Sequence, residues 1–316
     1  MRKNRILVPT NFSKQAEIAF KQSVFFSSKT NSDIFVLHVI PSLRKIDGSS
    51  NTIETIQNKA DSLIDPMTSF AGGKIHTRIE TGKVITQILN AEQELKPDYI
   101  FIGTDNVDIV LNELDALVNI DLNKRIIKEN HTKLNLIRLG TSGGLQEDLD
   151  VDTFLMSEMA IGFDGLLNFY KDREKIGNDA IEDAFIKHMA WNPRIATPYF
   201  ANASESLMQR IDQGFRRGYT ISAPGFYGPQ GRELRLKIQD ANINDKIRSF
   251  RFEGKRITNY EMESSALFGL AALLGHNAAT VCVIIANRYA KQYSKDYKPF
   301  VQNLIKIVLD NLAKKE

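Results

Sequence analysis

At 316 residues the chain has room for one large domain or two ordinary ones. With 42% hydrophobic and 25% charged residues it has the composition of a globular protein with ample core. A net charge of +3, evenly spread, argues against nucleic acid as a partner. The one cysteine, Cys282 in TVCVIIA, excludes an intrachain disulfide and fits a reducing, cytoplasmic setting. No apolar run nears the ~20 residues that span a membrane, and the run behind the basic start is too short for a signal peptide. Five scattered histidines and one cysteine leave little for a metal site.

Arg5 to Val8 (RILV), ended by Pro9, is the first expected strand. Thr10, Asn11 and Ser13 are turn and N-cap candidates, after which Ala16, Ile18, Ala19, Val24 and Phe25 take helical spacing. A buried strand is expected over Asp33 to Ile40, a helix over Thr52 to Ile64 and a weaker strand over Ile75 to Glu80. Val84 to Leu95 is a helix broken by Pro97, and Tyr99 to Gly103 a third buried strand. Apolar strands alternating with helices predict parallel βαβ units.

The segments RILVPTNFSKQAEIAF, DIFVLHVI and ETGKVITQILNAEQELKPDYIFIGT resemble the universal stress protein family, from Met1 to about Thr104. The resemblance implies an ATP site in many members, built from an aspartate after the first strand and a Gly-rich loop whose N–H groups close around phosphate. Here Asn11 takes the aspartate position, no glycines follow Gly103, and the family's last strand is missing, which weighs against ATP.

Asn106 to Val118 reads as an amphipathic helix with Val107, Val110, Leu111, Leu114 and Leu117 on its apolar side. Leu134 to Leu139 is a strand running into the glycine cluster Gly140 to Gly144, where a ligand or another backbone can come close. Asp152 to Ala160 is strand-like, and Gly162 to Tyr170 turns at Asp164-Gly165; Gly177 to His188 and Ala203 to Gly214 are expected helices. A strand over Gly218 to Ala223 feeds the loop Pro224 to Arg235, and another over Ala278 to Ala286 ends in Asn287-Arg288. The last helix is expected from Pro299 to Leu312.

Two stretches carry chemistry. In PGFYGPQGRELR, Gln230 and Arg232 stand two apart, which in an extended segment points both the same way. An amide beside a guanidinium matches the carbonyls of a flat ring, with Phe226 to cover its face; the bland alternative is a solvated loop. In RITNYEMESSALFGLAALLG, Glu261 and Glu263 flank Met262 where a buried helix, stopped by Gly275, begins. Either Asn259 or Ser264 caps that helix while the glutamates complement its dipole, or a carboxylate is held to accept hydrogen bonds from a diol.

Together, IGTDNVDIVLNELDALVNIDL, IRLGTSGGLQEDL, SEMAIGFDGLLNFY, PGFYGPQGRELR and RITNYEMESSALFGL resemble the nucleoside phosphorylases, of the uridine phosphorylase type, from about Gly103 to Glu316. The resemblance implies an α/β fold with a twisted mixed central sheet, and a homo-oligomer whose subunits complete each other's sites. It also implies reversible phosphorolysis of a pyrimidine nucleoside to base and pentose 1-phosphate, with inorganic phosphate as co-substrate and no cofactor. Phe226, Gln230 and Arg232 match the base-binding positions, and Met262 and Glu263 the sugar positions. Arg288 matches an arginine that helps to close the pocket. Gln230 and Arg232 would stabilise charge developing on the base, making Arg232, Gln230 and Glu263 the catalytic candidates. Purine-cleaving relatives place an aspartate near the base; Asn287-Arg288 in that region favours pyrimidine.

The phosphate half departs from the family pattern. The Gly-Asp-Pro…Arg loop is missing, Ile100 and Phe101 occupy the expected Thr-Gly positions, and upstream arginines are confined to Arg2, Arg5, Arg44 and Arg78. The expected division is therefore an incomplete stress-protein-like βαβ segment over 1–103 and a nucleoside-phosphorylase-like domain over 104–316 that lacks its N-terminal strands. The join falls near Gly103-Thr104. The alternative to an active phosphorylase is a catalytically inactive nucleoside-binding hybrid, or a stress-protein-like binding module.

Overall fold

The computed structural model describes residues 3–41, 51–82, 84–101, 106–122 and 124–314. The chain divides into one unit of Met1–Asn106, Leu122–Ile126 and Leu312–Glu316 and a second of Val107–Asp121 and Ile127–Asn311. The expected join at Gly103-Thr104, and with it Arg2 and Arg44, lies outside the described residues.

In the first unit β1 (Arg5–Thr10), α1 (Lys14–Thr30), β2 (Asp33–Pro41), α2 (Asn51–Ile64), β3 (Ile75–Gly82), α3 (Val84–Leu95) and β4 (Tyr99–Ile100) follow in order. The strands form a parallel sheet in the order β3–β2–β1–β4. Ile6, Leu7 and Val8 are wholly buried, as strands covered on both faces require. Ser13 is the N-cap of α1, its Oγ accepting from Ala16 N at 3.2 Å. Of the strand expected over Tyr99 to Gly103, Tyr99 and Ile100 pair in the sheet among the described residues, and Ile102 and Gly103 lie outside them.

The second unit opens with α4 (Val107–Asn119), β5 (Asn135–Gly144), β6 (Phe154–Gly162), α5 (Asp179–Met189), β7 (Tyr199–Asn202), α6 (Glu205–Ile211) and β8 (Arg216–Ser222). It continues with α7 (Ile243–Ser249), β9 (Lys255–Glu261), α8 (Ser264–Leu273), β10 (Asn277–Asn287) and α9 (Lys298–Ala313). The sheet order is β10–β5–β9–β8–β6–β7, with Gln292–Tyr293 added beside β10. β10 also pairs antiparallel with β6 through Val281↔Met156 and Cys282↔Leu155, so the sheet curls back on itself. Parallel pairs (β5 with β10, β8 with β6 and β9) mix with antiparallel ones (β5 with β9, β6 with β7), the mixed sheet that was expected.

Three expectations are corrected. The glycines 140–144 do not leave the strand; they are its second half, pairing with β10 on one side and, at Gly143 and Gly144, with β9 on the other. They answer to crowding inside the sheet: a Cβ on Gly140 would stand 2.9 Å from the Arg138 guanidinium, and one on Gly144 3.2 Å from Ile284. The helix expected over Ala203 to Gly214 is reduced to α6: Ala203 and Ser204 lie between β7 and the helix, their amides bonded to Glu158 O and Ala278 O. Neither Asn259 nor Ser264 caps α8: Asn259 is buried in β9, and the Glu261 carboxylate takes the free amides of Glu263 (3.0 Å) and Ser264 (2.9 Å).

Candidate active site

The loop after β8 is not extended, as the two-residue spacing supposed. Gly228–Gln230 is a 3-10 turn closed by Gly231 at φ +69°, a conformation suited to glycine, and a Cβ there would lie 2.3 Å from Asn244 Nδ2. Gln230 and Arg232 meet nonetheless: Arg232 Nη1 donates to Gln230 Oε1 and to Phe226 O, both at 2.8 Å. The Arg232 guanidinium stacks 3.7 Å above the Phe226 ring, so the face meant to cover a base is covered by the arginine itself. Asn244 of α7 holds this turn, donating to Gln230 O at 3.4 Å and accepting from Tyr260 OH at 3.2 Å.

Arg288 joins the same group from the end of β10. It donates from Nη1 to Gln230 O and from Nη2 to Gln230 Oε1 (2.5 Å), and lies 4.8 Å from the Tyr260 ring centre. Its Nε is buried with no hydrogen-bond partner, a donor still to be used. Asn287 directs it there: Nδ2 donates to Gln146 O (2.8 Å) and Leu149 O (2.6 Å), while Oδ1 accepts from Tyr289 N and Ala290 N. Burial, then the neighbouring Arg232 charge, pushes the Arg288 guanidinium down to about 10. Two cations thus share one amide oxygen, which concentrates positive charge at this loop.

Around Glu263 the structure adds a residue that was not singled out. Arg138, in the middle of β5, donates from Nη2 to Glu263 Oε2 and from Nη1 to Cys282 Sγ (3.2 Å), with Nη1 3.3 Å from Glu261 Oε2. Glu261 is the interior member, its side chain 1% exposed; Ser222 Oγ donates to its Oε1, and Ser264 Oγ to its Oε2 at 2.8 Å. Glu263 is the outer one, 37% exposed, and Met262 between them faces outward. Burial opposes the Arg138 charge, but the hydrogen bond to the Cys282 sulfur and the charges of Glu261 and Glu263 outweigh it and raise the guanidinium. Burial pushes the Cys282 thiol up to about 11, so it meets Arg138 as a neutral thiol.

Phe226, Gln230, Arg232 and Arg288 thus form one cluster, and Glu263 with Arg138 and Glu261 another. Tyr260 ties them, carrying Arg288 over its ring and preceding Glu261 in β9. The sequence signal for Arg138 was a charged residue in the otherwise apolar strand IRLG, a costly position that asks for a partner. Among the described residues no group of three or more His, Cys, Asp or Glu is placed to hold a metal. No helix among them is long and apolar enough to cross a membrane. A cavity of about 320 Å³ lies elsewhere, between Glu158, Tyr219, Met208 and Lys255, and none of the expected residues lines it.

The family model of the phosphorylase superfamily matches residues 53–314, and the chain belongs to that superfamily. It is similar to the uridine phosphorylase of Thermococcus kodakarensis, with 27% identity over 162 residues, 50% of this chain and 50% of that protein. It is also similar to the uridine phosphorylase of Haemophilus influenzae, with 26% identity over 157 residues, 48% of this chain and 53% of that protein. The chain spans about half the length of the curated relatives it matches. Among solved structures, a Trypanosoma brucei nucleoside phosphorylase that shows uridine phosphorylase activity superposes with a TM-score of 0.56 at 25% identity, covering 67% of this chain and 77% of that one. The fold is that of the nucleoside phosphorylases.

Proposed function

We propose that the chain performs reversible phosphorolysis of a pyrimidine nucleoside, uridine first among them. The assembly of Gln230, Arg232 and Arg288 around one amide carries this reading. A pyrimidine carbonyl that gains charge as the glycosidic bond breaks would find the Gln230 amide as donor, with the Arg232 and Arg288 charges behind it. Glu263 would take the sugar hydroxyls, and Met262 would line the sugar. Arg138 supplies the phosphate cation that the upstream sequence lacks: it is four-fifths covered, beside the sugar carboxylate, and firmly charged. A second copy of the chain would complete the site.

The stress-protein-like reading of residues 1–103 is supported by the parallel order β3–β2–β1–β4. The phosphorylase match, however, begins within that segment, at residue 53.

The test is uracil release from uridine by the full chain, with and without phosphate. Release that requires phosphate, and falls at least about a hundredfold in Arg232→Ala, is the expected result. Uridine binding with no release under any phosphate concentration would replace this reading with that of a nucleoside-binding protein.

A further inference from the structure

The proposed reaction gives Arg138 to phosphate and Glu263 to the sugar. In the structure these two groups hold each other, Arg138 Nη2 donating to Glu263 Oε2. While the pair stands, the Nη2 hydrogen that faces the carboxylate is not offered to an anion, nor is the Oε2 lone pair that faces the guanidinium offered to a hydroxyl. A substrate that takes either of these opens the pair, and the other then finds its group already released.

We infer that the Arg138–Glu263 ion pair couples anion binding to nucleoside binding, so that each substrate tightens the site for the other. The inference rests on the functional reading above. The two carboxylates on Arg138 are unequal, and this decides which contact yields. Glu261, 1% exposed, is fixed by Ser222 Oγ, Ser264 Oγ and the amides of Glu263 and Ser264. It keeps the guanidinium in place and its charge balanced. Glu263, 37% exposed, has its side chain at the solvent edge and can swing from Arg138 to a sugar diol without stranding a buried charge. The first substrate bears the cost of opening the pair and the second does not, which is positive coupling by linkage and must be reciprocal.

The experiment is calorimetry on the full chain with uridine and inorganic sulfate, a non-nucleophilic stand-in for phosphate, so that no turnover intervenes. Saturating sulfate is expected to tighten uridine at least about fivefold, and uridine to tighten sulfate by the same factor. Glu263→Gln removes the competing carboxylate. It should weaken uridine yet tighten sulfate measured alone, and the coupling should vanish. A purely structural role for Glu263 would not improve anion binding. Wild-type protein that binds both ligands independently, or one to the exclusion of the other, overturns the inference, as does weaker sulfate binding by Glu263→Gln. A wild-type chain that binds neither ligand removes the phosphorylase-site reading itself, a different and recognisable failure.

Discussion

Replacing Arg138 by methionine keeps a long apolar stem in β5 but leaves Glu261 buried without its cation. Breaking such a pair from one side costs about 3 kcal/mol, so Arg138→Met should melt several degrees lower and also lose phosphate-dependent turnover. Arg138→Lys restores the charge without the fork, and should recover stability more than activity. The check is a melting curve beside kcat/KM for phosphate in both variants; equal losses in the two would assign Arg138 a structural role alone. Gly231→Ala strains a left-handed residue and drives a Cβ into Asn244. It should raise KM for uridine at least about tenfold while the melting point moves little, since one loop costs about 1–2 kcal/mol. Motif spacing and family resemblance singled out Gln230, Arg232, Phe226 and Arg288, which the fold brings into one cluster. They could not reach the setting of Arg138, whose partners Glu263 and Cys282 lie 125 and 144 positions away. The extended-chain argument for Gln230 and Arg232 found the right pair by the wrong geometry, since it is the turn at Gly231 that brings them together.

Among elements, long apolar strands were legible and short or edge elements were not. β7 has four residues and α7 has seven with the polar sequence INDKIRS, too few for either period to show. The glycines of β5 look like a turn because glycine is common there, and only the strands on both sides explain them. His276, just past α8, illustrates a contact that periodicity cannot show. Its Nδ1 accepts from Leu134 N at 3.2 Å ahead of β5, and its Nε2 stands 3.2 Å from Asp115 Oδ1 of α4. Burial lowers its pKa; Asp115 opposes this and Lys133 and His131 add to it. Because the folded pKa lies below the unfolded value of about 6.5, the unfolded chain takes the proton first as pH falls. The contribution of His276 is thus whole above about pH 6.5 and drains below it. Melting temperature should decline from pH 7.5 to 5.5, and His276→Gln, which can still accept from Leu134 N, should flatten that decline. An unchanged slope would show that other groups govern this window.

At the scale of the whole molecule, alternating βαβ units announced the first sheet, and the family motifs announced the mixed second one. The closure of that second sheet was not readable, because it depends on one strand, β10, serving β5 along its length and β6 at its centre. The division into two units offers a way to locate ligand binding without assuming activity. Trp191 is the chain's one tryptophan and lies in the second unit. It packs 4.9 Å from Phe163 and 5.9 Å from Phe185 and donates from Nε1 to Ala196 O. Its emission therefore reports the unfolding of that unit, whereas far-ultraviolet circular dichroism registers helices of both. A ligand held by the native second unit at a hundred times its Kd adds about 2.7 kcal/mol, or roughly 5–10 °C for a body of this size. Uridine at saturation should raise the Trp191-reported midpoint by that amount, and guanosine should leave it in place if the Arg288 region excludes purines. A uridine shift that appears in dichroism but leaves the tryptophan transition unmoved would place the nucleoside on the first unit, and with it the stress-protein-like reading rather than the phosphorylase site.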